Sequence, residues 1–498
     1  MNDMSHRPGV LVDAPLLSAD QWNERLFSDG WRTAQGGVIE VQEPATETVL
    51  TRVGRADRSD VARAAASAKA AQSAWAAMTV DARQKVLLRA ADLLEEHAAD
   101  LAQWIMRESG SVGGKAAVEL EHAAGFVRQA GVMATEAAGL VLPASSGKTS
   151  IARRVPLGVV AVISPFNFPL VLSIRAVAPA LATGNAVVLK PDPRTPISGG
   201  FLIARVFEAA GLPEGLLHVL PGDAEAGDAL CRDPNIAMIA FTGSTAAGRK
   251  VGEVAGGHLK KVALELGGKN PLIILDDADP DVAASNAAWA AWLHQGQICM
   301  TAGRLLVQRG IHDAVVERLA AKAAHLPVGD PMRGDVALGP LISRSQLERV
   351  HAIVSDTVAA GARLVAGGTH DGLFYAPTVL DGVKPGMRAF EEEIFGPVAA
   401  ITVFDELDEA TRLANHGPYG LAAGIITGSV GRGMGLGSAL EVGHLHINEQ
   451  TVEAGPHAPF GGLKASGNGT RISGPANLDE FTTWRWETVK AVATPYPF

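Results

Sequence analysis

The order of apolar runs in this sequence predicts an α/β protein built on a doubly wound sheet. Between residues 157 and 266, five apolar stretches of strand length (157–163, 186–189, 216–220, 237–241 and 262–266) alternate with helical stretches at 170–181, 197–210, 224–230 and 245–254. Continuous apolar strands belong to a parallel sheet with helices on both faces, whose strand ends bind nucleotides. A second series of the same kind opens at Leu272-Ile273-Ile274-Leu275. At 498 residues the chain exceeds what one core sustains, and its length suggests about two to four domains.

The elements follow in order. Residues from about 9 to 56 read as short extended pieces with turns at Asp29-Gly30 and Gly36-Gly37. Ser59-Asp60 then offers an N-cap to an alanine-rich helix with Val61, Ala64, Ala68, Ala71 and Trp75 at helical spacing. A longer helix with Val86, Leu87, Leu94, Leu101 and Ile105 on one face ends near Gly110, and a third, carrying Lys115, Glu119 and Phe126, leads into 137–150. In the second α/β region, strands are expected near 305–307, 398–404, 422–427 and 444–447, with helices near 281–294, 312–325 and 406–415. The tail from Glu480 to Val489 alternates like an exposed strand, and Trp484 and Trp486 on it predict pairing with another subunit.

Composition excludes several classes of function. A net charge of −10 gives no long-range attraction for nucleic acid or an anionic membrane. Two cysteines make neither a disulfide framework nor a thiolate metal site, and the histidines are scattered, so no metal is expected. The first eight residues lack an apolar segment of signal-peptide length, and no run of about 18 apolar residues occurs. A cytoplasmic protein of a reducing compartment, with no membrane or nucleic-acid partner, is the expectation.

Six segments carry chemistry, four of them at strand ends. Cys299 lies in His294-Gln295-Gly296-Gln297-Ile298-Cys299-Met300, a glycine-glutamine loop poorly suited to core packing, although a lone cysteine more often acts as a small hydrophobe. Ser164-Pro165-Phe166-Asn167-Phe168-Pro169 follows an apolar strand directly, which aims Asn167 into the crevice unless it is merely a turn residue. Lys190 ends another strand, where a cation suits a ribose or phosphate oxygen but a solvated lysine is the plainer account. Phe241-Thr242-Gly243-Ser244-Thr245-Ala246-Ala247-Gly248 opens a helix whose free N–H groups suit an anion. Glu265 closes a strand before Gly267-Gly268, where desolvation raises a carboxyl toward a useful general base. A further run, Glu391-Glu392-Glu393-Ile394-Phe395-Gly396-Pro397, sets three acids before a rigid apolar turn.

Taken together and in this order, these segments resemble the NAD(P)-dependent aldehyde dehydrogenase superfamily, from roughly residue 40 to the C-terminus. The resemblance implies a Rossmann-like doubly wound cofactor domain (1–127 and 151–264), a second α/β catalytic domain (265–470), and a small β oligomerisation element (128–150 and 471–498). It implies Cys299 as nucleophile, Glu265 as general base, and Asn167 with the Cys299 backbone N–H as oxyanion hole. Lys190 and Glu393 would hold ribose hydroxyls, Gly243, Ser244 and Gly248 the pyrophosphate, and Ser164, Phe166 and Phe395 would border the cofactor. Homodimers or homotetramers are implied. An acylating enzyme passing its thioester to coenzyme A generally lacks the glutamate base, so Glu265 favours hydrolysis. Retention of Cys299, Glu265 and Asn167 argues against a catalytically silent binding or structural member, and a thioesterase would leave the nucleotide residues idle.

The nucleophile loop, the run Lys190-Pro191-Asp192-Pro193-Arg194, the segment from His446 to Val452 and the Trp-Arg-Trp tail are similar to the aromatic aldehyde branch of benzaldehyde, vanillin and salicylaldehyde dehydrogenases. Phe166, Phe168 and Phe460 can supply flat apolar walls, with Ile298 and Met300 flanking the nucleophile. Arg175 stands where many relatives are apolar or aromatic. It suits a substrate carboxylate, as in semialdehyde dehydrogenases, or a phenolic oxygen, or else a structural ion pair. Many relatives also place a glutamate three residues after the strand-end lysine, against a 2′-phosphate; here Pro193 and then Arg194 occupy that stretch, so NAD is expected with NADP also accepted.

Overall fold

The computed structural model describes residues 16–136 and 139–498. Residues 1–15, which begin the first expected domain and part of its extended stretch, and residues 137 and 138, which head the 137–150 segment, lie outside the described residues.

The apolar series forms a seven-stranded sheet in the spatial order Lys261–Glu265, Ile236–Thr242, Val159–Ile163, Ala186–Lys190, Leu217–Val219, Arg25–Phe27, Trp31–Thr33. The first five are parallel, and the two short N-terminal strands extend one edge antiparallel. Val159–Ile163 and Ala186–Lys190 are buried at every position, as unbroken apolar runs require. Strand order reverses between Val159–Ile163 and Ile236–Thr242, so the loops leaving these strands diverge and open a crevice at their carboxyl ends.

The helices before this sheet differ from expectation in two ways. The first spans Arg58–Ala77 and its cap is Asp57, not Ser59: the Asp57 carboxylate accepts the N–H groups of Ser59 (2.8 Å) and Asp60 (3.1 Å) while Asp60 returns a bond to the Asp57 N–H (3.2 Å). The long second helix is two, Val80–Glu96 and Ala98–Ser109, broken at His97, with Gly110 ending the second in the left-handed region. The apolar face runs through the break unchanged, which hides it from periodicity.

A second seven-stranded sheet has the order Arg363–Ala366, Thr378–Asp381, Val398–Phe404, Ala302–Gln308, Asn270–Ile274, Ala422–Ile426, His444–Ile447. All neighbours are parallel except the first pair. The helix Arg344–Ala359 and the strands Arg363–Ala366 and Thr378–Asp381 were not expected; the first of these strands is a half-exposed edge with little apolar pattern.

The tail strand Thr482–Lys490 pairs antiparallel with Lys148–Pro156 from Thr482 opposite Pro156 to Lys490 opposite Lys148, and Gly139–Val141 completes a three-stranded sheet. The middle strand continues past residue 150, and residues 128–133 belong to the helix Gly113–Met133. The tail is the exposed strand expected, open on both faces after Thr482, with Trp484 48% and Trp486 67% exposed.

One continuous apolar core runs from Leu16 to Leu266 and takes in Ile472 and Phe481, while the strands after residue 270 pack into separate clusters. Among the described residues no helix is long and apolar enough to cross a membrane, and no group of residues is arranged to hold a metal ion.

Candidate active site

A cavity of about 1140 Å³ opens at the point where the first sheet reverses, walled on its far side by loops of the second. Ser164, Phe166, Asn167, Lys190, Gly243, Ser244, Glu265, Cys299, Glu393 and Phe395 all line it, so residues spread over more than 230 positions meet in one cleft.

The cysteine reaches it through an unusual backbone. After the helix Pro280–Trp292, residues His294, Gln295 and Gly296 take left-handed φ values of 48°, 55° and 67°. Gly296 is obligatory, since a Cβ there would lie 2.1 Å from the Gly396 carbonyl oxygen. The Asn270 amide, at the start of Asn270–Ile274, donates to the carbonyls of Cys299 (2.8 Å) and Thr301 (2.8 Å), and its oxygen accepts from the Ala422 N–H (3.0 Å). The Cys299 loop is thereby tied to the second sheet. Burial pushes the Cys299 thiol up to about 12; the Arg175 guanidinium draws it down, and Glu393 and Glu265 add to the rise. The other cysteine, Cys231, is buried in a helix, its thiol pushed up to about 11 by desolvation.

Glu265 is the last residue of its strand and is 2% exposed. Neither carboxyl oxygen has a hydrogen-bond partner among the described residues, and burial lifts its pKa to about 8, against the pull of Arg175 and Arg471. An orphaned buried carboxyl is costly to keep for folding alone and suits proton transfer at neutral pH. Asn167 follows Val159–Ile163 and is 2% exposed, immediately before the helix Pro169–Ala182.

The rest of the cleft has the chemistry of a dinucleotide site. Ser244 caps the helix Thr245–Gly257 by accepting the Ala247 N–H (3.3 Å), and residues 244–247 face the cavity, so the helix start offers N–H groups to an anion. The Lys190 ammonium is oriented by the Gly222 carbonyl (2.8 Å). Glu393 accepts the Gly268 N–H (3.2 Å) and rests on Gly267, where a Cβ would come within 2.5 Å of its carboxyl; burial raises its pKa to about 7. Phe166 and Phe395 meet edge to face at 5.9 Å, and Arg194, held by two bonds to Asp192 (2.8 and 2.7 Å), covers Phe166 at 4.2 Å. Gly248 does not line the cavity; it faces Leu266, where a Cβ would collide, and so lets the helix approach its strand.

The expected substrate walls gather on the other side of the sulfur. Ile298, Met300 and Phe460 form one apolar cluster with Leu421 and Ala422, against which Phe168 and Cys299 pack. Arg175 is 3% exposed and, among the described residues, forms no ion pair and leaves Nε without a partner; it donates to Thr242 Oγ1 (3.1 Å) and lies over the Phe460 ring at 4.7 Å. Three contributors escape a reading of the sequence. Asn270 ties down the Cys299 and Thr301 carbonyls from the start of a strand, Gln346 donates to the Phe395 carbonyl (2.8 Å) from an unexpected helix, and Lys115 reaches the Asn167 carbonyl (2.8 Å) from a distant one. Only the last left a signal, a Lys–Glu pair four apart on an otherwise alanine-rich helix.

Comparison with known proteins agrees with this geometry. A family model described as the aldehyde dehydrogenase family matches residues 31–487. The chain is 53% identical over 484 residues to the vanillin dehydrogenase of Amycolatopsis sp., covering 97% of this chain and 100% of that one. It is 47% identical to the benzaldehyde dehydrogenase [NAD(+)] of Pseudomonas putida, covering 96% and 98%. Among solved structures, a salicylaldehyde dehydrogenase from Pseudomonas putida G7 complexed with salicylaldehyde superposes with a TM-score of 0.91 at 36% identity, over 95% of this chain and 99% of that one.

Proposed function

Because the chain belongs to the aldehyde dehydrogenase family, we propose that it oxidises an aromatic aldehyde to the carboxylic acid, with NAD as oxidant, through a covalent adduct on Cys299. The observation that carries this reading is the position of Cys299, which lines the dinucleotide cleft on one side and packs into the Phe460 cluster on the other.

The residues divide the work as follows. The Cys299 thiolate adds to the aldehyde carbon, and the alkoxide so formed is held by the Asn167 amide and the Cys299 N–H, each donor worth about 3–4 kcal/mol. Bound NAD supplies the acceptor for the hydride lost from that carbon, which leaves a thioester on Cys299. Glu265 takes a proton from water, and the hydroxide releases the acid and restores the thiol. Lys190 and Glu393 are suited to the ribose hydroxyls, Gly243 and Ser244 to the pyrophosphate, and Ser164, Phe166 and Phe395 to the nicotinamide side. Residues 1–127 with 151–264 form the cofactor unit in this reading, 265–470 the catalytic unit, and 128–150 with 471–498 the oligomerisation element. A cytoplasmic setting suits an enzyme whose two cysteines are both free thiols.

Arg175 favours a second reading, a semialdehyde whose carboxylate meets the guanidinium. One substrate panel separates the two. Benzaldehydes are expected to give the highest kcat/KM and succinic semialdehyde a much lower one; efficient turnover of the semialdehyde alone would overturn the aromatic assignment. In the same panel NADP is expected to work less well than NAD but measurably, because Pro193 removes the usual carboxylate while Asp192 keeps Arg194 occupied. Complete failure of NADP would defeat that part.

The open tail sheet carries the oligomeric reading. Trp484 and Trp486 are exposed beside Leu140 on one face of this sheet, and Val489 and Val141 are exposed on the other, apolar surface that a second copy of the chain would cover. Sedimentation is expected to give two or four times the 51.7 kDa chain mass, and Trp486→Glu with Val489→Glu to shift it toward one; a monomeric parent would end the proposal.

A further inference from the structure

The helix Gly113–Met133 carries a buried ion pair, Lys115 with Glu119, one turn apart. Neither group is spent on its own helix. The Lys115 ammonium donates to the Asn167 carbonyl (2.8 Å) and lies over the Phe168 ring, 4.1 Å from its centre. Glu119 uses its second oxygen to accept the N–H groups of Leu170 (2.8 Å) and Val171 (3.2 Å), the free donors at the start of Pro169–Ala182. One pair therefore holds a five-residue segment at both ends. On the opposite side the His294 ring meets the edge of Phe168 at 5.8 Å.

Stability alone does not account for this arrangement. A buried ion pair loses hydration on both charges, and a well-packed apolar pair of similar volume often serves a fold as well. The surrounding helix is rich in alanine, so apolar substitutes were close at hand. What an apolar pair cannot do is direct a carbonyl, a ring face and two N–H groups at once.

We infer that Lys115 and Glu119 are positioning residues: they set the Asn167 side-chain amide where the alkoxide forms and fix the Phe168 ring as the wall beside which an aryl aldehyde lies. The inference rests on the proposed role of Asn167 as oxyanion donor. Lys115 touches only the main chain of Asn167, so it acts by fixing the backbone from which that amide projects.

The test compares Lys115→Met, Lys115→Arg, Glu119→Gln and Asn167→Ala in the full-length enzyme, with benzaldehyde and propanal as substrates and NAD binding measured separately. Asn167→Ala is expected to lower kcat about 10²–10³-fold. Lys115→Met is expected to lower kcat for benzaldehyde roughly tenfold or more, with a smaller loss for propanal and unchanged NAD affinity, while Lys115→Arg restores most of it. Glu119→Gln, which keeps size and hydrogen bonding, is expected to fall between, and it carries the test if Lys115→Met does not fold. If Lys115→Met and Glu119→Gln lose thermal stability but keep parental kcat, the pair is structural and the inference is overturned. If Asn167→Ala itself keeps parental kcat, the oxyanion reading fails and the inference fails with it, a result distinguishable from the first.

Discussion

Replacing Cys299 by serine is expected to lower kcat by roughly 10⁴–10⁶-fold, the scale of losing a covalent nucleophile, while NAD binding persists. The sulfur cannot be bypassed, because the carbon that gives up hydride must first become an alkoxide adduct. In the structure the thiol is held protonated by burial, and Arg175 is the cation that draws its pKa down. Serine would sit in the same desolvated place with a far more basic oxygen, so the exchange is not conservative. The measurement is NADH formation with benzaldehyde, with Cys231→Ser as the control expected to retain parental kcat. Loss of activity in the Cys231 variant, or its survival in the Cys299 variant, would exchange the roles of the two cysteines.

Replacing Glu265 by glutamine should separate the two halves of the reaction. Hydride transfer precedes the need for water, so a stoichiometric burst of NADH is expected to survive, while steady turnover falls about 10²–10⁴-fold with the loss of the base. The pH dependence follows from the carboxyl pKa of about 8. Only the ionised form accepts a proton, and at pH 7 roughly a tenth of the carboxyl is ionised. Hydrolysis of the acyl-enzyme is therefore expected to rise with pH through about 8 and level off roughly one unit above it, and the glutamine variant to lack that limb. Disappearance of the burst together with turnover would show that Glu265 acts earlier than the hydrolytic step.

The parts of the site that were legible share one property: they lie at the carboxyl end of an apolar strand. Asn167, Lys190, Gly243 and Glu265 could be placed before any coordinates because a parallel sheet delivers all its strand ends to one crevice. Cys299 was legible from its loop, whose consecutive left-handed residues leave little freedom in sequence. What escaped was held by tertiary contacts that sequence spacing does not encode. Lys115 lies some fifty positions before the carbonyl it holds, Asn270 acts on a backbone in a different loop, and the break at His97 leaves the apolar face continuous. Gly248 was assigned to the pyrophosphate by the resemblance alone; it lies inside the helix Thr245–Gly257 and off the cavity, where its missing Cβ makes room for Leu266. Arg175 was read as part of the substrate side, and the structure gives it a hydroxyl and a ring in place of a carboxylate.

The contact between Gly296 and the Gly396 carbonyl, too close to admit a single methyl group, joins two loops with different duties. One bears the reactive sulfur and the other bears Glu393 and Phe395. A side chain added at position 296 would have to push the two apart, so one substitution there is expected to displace the thiol and the Glu393–Phe395 wall together.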